Sequence, residues 1–277
     1  MAESTNKRDS ILLLLQITDV ENSLAEFPEI MAPAFLSGLE NSPNIDYSDP
    51  NQRGFIDAMK TTLISEYTID NLTNAIVDEL EDSLSAEHLQ QTLDFYQSDF
   101  GKHATALKKE SRKEIKSEIF RTFIREFPPK PIDNERLLLV EELLNSYESH
   151  TIMANMMIDS HIATLQGMMD EMPDEMIDKM YGNMDVADLI QTMQSQKGLM
   201  GNKMWENFKA HEYFSLRKLT TPQFRQYQEF ETSPAGESFS KILLEKMANF
   251  TTSTLYYVGA SGGKELAKLV FAESGDD

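Results

Sequence analysis

The chain has 277 residues, with 25 Lys and Arg against 46 Asp and Glu, a formal net charge of −21, sixteen Met and no Cys. At 40 % hydrophobic and 26 % charged residues it has globular proportions, with length for one large domain or two ordinary ones. The missing thiols exclude disulfides, iron–sulfur clusters and thiolate zinc sites. The charge opposes nucleic acid and anionic membrane, because both are bound through Lys and Arg.

Apolar residues recur at helical spacing nearly everywhere and never alternate with period two for long, which predicts an all-α fold. Helices are expected over Arg8–Gln16, Asn22–Ser37, Arg53–Ser83 and Ala86–Gln97. A four-residue rhythm through Leu107, Ser111, Ile115, Ile119, Phe123 and Phe127 predicts one more helix with a single buried face. Pro128, Pro129 and Pro131 end it. Beyond them come Asn134–Met169, Pro173–Tyr181, Val186–Leu216, Thr221–Glu231 and Pro234–Val258, then a short helix over Lys264–Ala272 after a turn at Gly259–Gly263. The longest apolar run, Ile11–Leu15, is too short for a membrane span of about 20 residues or for a secretory leader. The expectation is a chain without a transmembrane segment. It would be either a mature exported form whose leader lies outside this sequence, or a cytoplasmic protein.

Self-similarity organises these elements. Ser85–Gly101 aligns with Thr220–Gly236 at a constant offset of 135, without a gap. Leu84/Leu219, Leu89/Phe224, Phe95/Phe230, Ser98/Ser233 and Gly101/Gly236 match in kind, and Leu14-Leu15-Gln16 matches Leu143-Leu144-Asn145 at an offset of 129. The pattern predicts a tandem duplication: two related helical bundles over residues 1–130 and 134–277, packed on each other near the repeated corners. In each copy Ser98 or Ser233 suits a helix N-cap, whose hydroxyl accepts an otherwise unpaired backbone N–H. Pro234 falls at the first helical position, where a missing N–H costs nothing. Gly101 and Gly236 would admit a close backbone approach, and Phe95 and Phe230 would pack into the junction. An anion site at these helix N-termini is the functional alternative.

Gln91-Thr-Leu-Asp-Phe-Tyr-Gln-Ser-Asp-Phe-Gly-Lys102 resembles the signature Phe-Tyr-x-Ser-Pro-x-Gly of the bacterial domain-of-unknown-function family numbered two thousand and fifty-nine. The first copy keeps Phe95 and Tyr96 but has Asp99 in place of Pro. The second keeps Ser233, Pro234 and Gly236 but has Glu231 in place of Tyr. The resemblance implies an all-helical domain carried by exported, periplasmic proteins, and it implies no catalytic residue.

Twelve of the sixteen methionines lie between Met153 and Met204, and Met168, Met172, Met176, Met180 and Met184 recur every four residues. They read as core filling, as a plastic groove for a partner helix or acyl chain, or as a Cu(I) site. His88, His103, His150, His161 and His211 form no metal-ligand spacing. Val258-Gly-Ala-Ser-Gly-Gly-Lys264 fails at both ends of a phosphate loop. Nine basic residues from Lys102 to Lys130 stand against four acidic ones; they read as a solvated face answering the acidic remainder, or as a dock for an acidic partner or lipid headgroups. No catalytic residue, cofactor or metal is expected. The sequence favours a non-enzymatic interaction protein of the bacterial cell envelope that binds a protein partner. A carrier or sensor of a hydrophobic ligand comes second and an unrecognised enzyme third.

Overall fold

The computed structural model of the protein describes residues 2–25, 32, 33, 35, 37, 49–115, 117–128, 133–181 and 186–273. The fold is all-α, and among the described residues there is no strand. Its helices are α1 (Ala2–Ile17), α2 (Pro50–Glu66), α3 (Ile69–Ser83), α4 (Ala86–Gln97), α5 (Asp99–Glu114) and α6 (Glu118–Glu126). After the prolines come α7 (Asn134–Ser146), α8 (Ser149–Asp170), α9 (Asp174–Tyr181), α10 (Val186–Ser195), α11 (Lys197–Leu216), α12 (Thr221–Glu231) and α13 (Pro234–Glu273). Half of the predicted helix over Asn22–Ser37 lies outside the described residues, as do Pro129 and Pro131.

Several expected helices are divided, each at a local backbone device. The Leu107–Phe127 stripe breaks after α5, where Ser117 caps α6 by accepting from the Phe120 N–H (3.4 Å). The expected Arg53–Ser83 helix breaks at Tyr67 and Thr68, whose hydroxyl accepts from the Asn71 N–H (3.2 Å). Asn134–Met169 breaks at Tyr147 and Glu148, the latter with φ at 50°.

The reverse correction applies at the far end. Val258–Lys264 is not a turn, because α13 runs unbroken through Gly259, Gly262 and Gly263. Packing accounts for glycine inside a helix here. A methyl on Gly259 would stand 2.8 Å from the Thr164 carbonyl carbon of α8, and one on Gly263 would stand 3.0 Å from that of Met168. Reciprocally, a methyl on Gly167 of α8 would stand 3.0 Å from the Ala260 nitrogen. Small residues four apart let two helix backbones touch, and that contact replaces the propensity glycine forfeits.

The chain forms two compact units. The first comprises Met1–Ser23, Ala75–Ala154 and Leu199–Lys246, and the second Leu24–Asn74, Asn155–Gly198 and Met247–Asp277. Each therefore draws on both sides of the Pro128–Pro131 cluster. The first unit's core joins Leu139, Val140, Leu143 and Leu144 of α7 to Tyr213 and Leu216 of α11 and to Phe224 and Tyr227 of α12. Around it α6 lays Phe120 and Phe123 edge-on against Phe214 at 4.9 and 5.2 Å between ring centres. The second unit's core gathers Met59 and Leu63 of α2 with Tyr67, and Leu255 and Val258 of α13. There the Tyr67 hydroxyl pairs with that of Thr251 at 2.9 Å, and burial pushes the phenol's pKa up.

Within the first unit, residues at the two offsets do the same work. Asp19 and Glu148, 129 apart, have left-handed backbone (φ 62° and 50°) just after α1 and α7. Their N–H groups donate to Gln16 (3.2 Å) and Asn145 (3.3 Å), also 129 apart. Lys7 donates to the Glu81 carbonyl as Arg136 donates to that of Leu216, so each of α3 and α11 has carbonyls near its C-terminal end answered by a cation.

Candidate functional site

The repeated corners are built alike. Ser85 caps α4 by accepting from the His88 N–H, and Thr220 caps α12 in a reciprocal box with Gln223. Ser98 then accepts from the Gly101 N–H (3.0 Å), and Ser233 from the Gly236 N–H (3.3 Å). A methyl on either glycine would stand 2.8 Å from a Cα of the preceding helix, that of Tyr96 or of Glu231. What the glycine admits is the last turn of the helix before it, so one helix follows the other with only one or two residues between them.

The corners meet each other. The Phe95 and Phe230 rings stack at 3.7 Å with 5° between their planes, and Tyr96 donates a buried hydrogen bond to Glu231. Both contacts join residues 135 apart. Position 231, aligned with Tyr96 at the offset of 135, thus holds the acceptor for that tyrosine.

This bond opens a polar cluster that sequence reasoning did not single out. Glu231 also accepts from the Ser240 hydroxyl (3.1 Å). Lys108 donates to the Tyr227 hydroxyl at 2.9 Å, lies 5.1 Å from that ring's centre and pairs with Glu212 at 3.5 Å. Burial pushes the phenols of Tyr96, Tyr147 and Tyr227 well above their usual pKa, and the nearby Glu231 charge adds to the shift at each. They are therefore neutral at physiological pH, and Tyr96 donates while Tyr227 accepts. The one signal in the sequence was Glu231, an acid at the position that aligns with Tyr96. A second polar knot surrounds the half-turn after α1. Asp19 accepts from Asn22 (2.6 Å), Lys109 (3.0 Å) and Arg112 (2.7 Å). Burial works to raise its pKa, yet these partners hold it below the usual carboxylate value.

The methionine stripe is divided. Met172 is buried, Met168 and Met176 are half-buried, Met180 belongs to α9, and Met184 lies outside the described residues. Of the nine basic residues, Lys108, Lys109 and Arg112 pair with Glu212 and Asp19 of the same unit, and Arg121 pairs with Glu118. Lys116 and Lys130 lie outside the described residues. Among the described residues no group of three or more His, Asp or Glu is placed to hold a metal. None of the described helices is long and apolar enough to cross a membrane.

The second unit carries an open groove of about 720 Å³. One wall is the face of α2 bearing Gly54, Asp57, Ala58, Thr61 and Thr62, and the other is the face of α13 bearing Ser261, Lys264, Glu265, Ala267 and Lys268, with Glu171 beside it. Lys264 pairs with Glu171 at 3.4 Å, and Lys268 pairs with Glu265. The floor is made of small side chains and the rim is charged, so the groove can receive a helix backbone closely.

Comparison of the chain with protein-family models, with curated proteins and with solved structures finds no match. The class defined here is an all-helical protein with repeated capped corners and an open groove between two helices.

Proposed function

We propose that the protein is a non-enzymatic interaction module of the bacterial cell envelope. In this reading it works in the periplasm and docks a helical segment of a protein partner. We also propose that it arose by tandem duplication, its two corners pairing as equivalent surfaces pair in a two-fold dimer. The matched caps, the matched left-handed residues and the 135-residue contacts support the duplication. The envelope assignment rests on the resemblance of Gln91–Lys102 to the unknown-function family. The observation that carries docking is the small-floored groove between α2 and α13, since helix-in-groove recognition needs an open trough with room for a backbone. The Tyr96–Glu231–Tyr227–Lys108 cluster is the feature nearest to an enzyme site. Its groups satisfy one another inside the first unit, which is how a buried polar network serves structure.

Native mass spectrometry of the protein purified from its own compartment, without detergent, tests this. A complex with a second polypeptide is expected, and Ala58→Trp, which fills the groove, should abolish it. A bound molecule of a few hundred daltons in place of a polypeptide would overturn docking in favour of the hydrophobic-ligand carrier.

A further inference from the structure

We propose that the groove between α2 and α13 takes a basic amphipathic helix of about three turns, an inference that rests on the docking reading above. The two walls run antiparallel. Phe55 and Met59 lie against Gly262, whereas Tyr67, just beyond the other end of α2, meets Thr251 and Phe250. Along α2 the groove-lining positions 54, 57, 58, 61 and 62 follow one helical face, and Ile64, two residues further on, borders that face. Along α13 positions 261, 264, 265 and 268 do the same, and Tyr257 precedes them at the same spacing. Ile64 and Tyr257 are 60 % and 59 % exposed, and the antiparallel register brings both toward the Tyr67 end. The trough is thus lined by small and charged side chains, and exposed Ile64 and Tyr257 border it toward the Tyr67 end, over about 15 Å of helix rise in all.

Charge selects the occupant. Both groove lysines are already engaged, Lys264 by Glu171 and Lys268 by Glu265. Among the described residues the Asp57 carboxylate has neither an ion-pair nor a hydrogen-bond partner, so the unanswered charge in the trough is negative. A chain of net charge −21 also steers cationic partners toward itself and repels acidic ones. The fitting ligand therefore presents leucine-like residues to Ile64 and Tyr257, alanine-like residues to Ala58 and Ser261, and a Lys or Arg to Asp57.

The test uses the full chain and two synthetic helical peptides of about 18 residues with one shared Leu/Ala pattern. One peptide carries Lys and the other Glu at the polar positions, and binding is followed by fluorescence anisotropy. The Lys peptide should bind and the Glu peptide should bind at least ~10-fold more weakly, as close charge pairs and steering together produce. Asp57→Asn should weaken the Lys peptide roughly threefold, the size of one partly exposed pair. Ala58→Trp and, independently, Thr61→Trp should abolish binding while circular dichroism shows the fold retained. Equal binding of both peptides would overturn the charge assignment alone and leave docking standing. Lys-peptide binding unchanged in both Trp variants would overturn the groove as the site and reduce the interaction to adhesion by net charge. Binding of neither peptide would overturn the proposed occupant, while a polypeptide complex in native mass spectrometry would still uphold docking.

Discussion

Asp19 shows how much one residue can concentrate. It takes a left-handed backbone, unusual without glycine but tolerated by Asp and Asn, and its carboxylate gathers Asn22, Lys109 and Arg112 around the end of α1. Because its folded pKa is depressed below the unfolded value, its contribution to stability is present above the ordinary carboxylate range and is lost as pH falls through the depressed value. Asp19→Asn keeps the backbone preference and removes the charge. The variant should be less stable than the parent at pH 7, and the gap between their urea midpoints should narrow as pH falls toward 3. A gap that stays constant with pH would show that the carboxylate's charge contributes nothing.

At the scale of the element, the α4–α5 and α12–α13 corners use one serine and one glycine to join two helices through only one or two residues. Serine answers a helix-end N–H, and glycine makes room for the preceding turn. Ser233→Ala should cost about 1 kcal/mol through loss of the cap. Gly236→Val should cost more, about 2 kcal/mol or above, because its side chain would be forced against the backbone of Phe230 and Glu231. Equilibrium denaturation in urea distinguishes the two, and equal midpoints for both variants and the parent would refute the corner's role. The same steric logic operates at the α8–α13 crossing, where the glycines that look like a loop in the sequence are what lets two helices touch.

Across the molecule, the Tyr96–Glu231 bond and the Phe95–Phe230 stack tie residues 135 apart, so the first unit exists only when both parts of the chain contribute. Tyr96→Phe leaves a buried carboxylate oxygen without its donor, and Glu231→Leu leaves a buried hydroxyl without its acceptor. Each should cost about 1–3 kcal/mol. The double variant should cost less than their sum by about 0.5–3 kcal/mol, the coupling expected of directly bonded partners. Strict additivity in a denaturation cycle would mean that the pair adds no stability.

The sequence by itself determined what depends on neighbours three or four residues away. The all-α class follows from apolar periodicity, the caps at Ser98 and Ser233 from hydroxyls beside helix starts, and the corner glycines from their place two residues beyond each first helical position. Tertiary structure decided everything that depends on which distant surface arrives. It turned Gly259–Gly263 from a turn into helix interior, because the backbone of α8 lies against it. It gave Glu231 its tyrosine, Asp19 its two cations and half-exposed Lys108 its phenol. It also divided the methionine stripe between buried and half-buried surroundings. The physical reason is range: capping and helix periodicity are satisfied within one or two turns, whereas burial, ion pairing and close backbone approach require a second segment that local spacing does not specify.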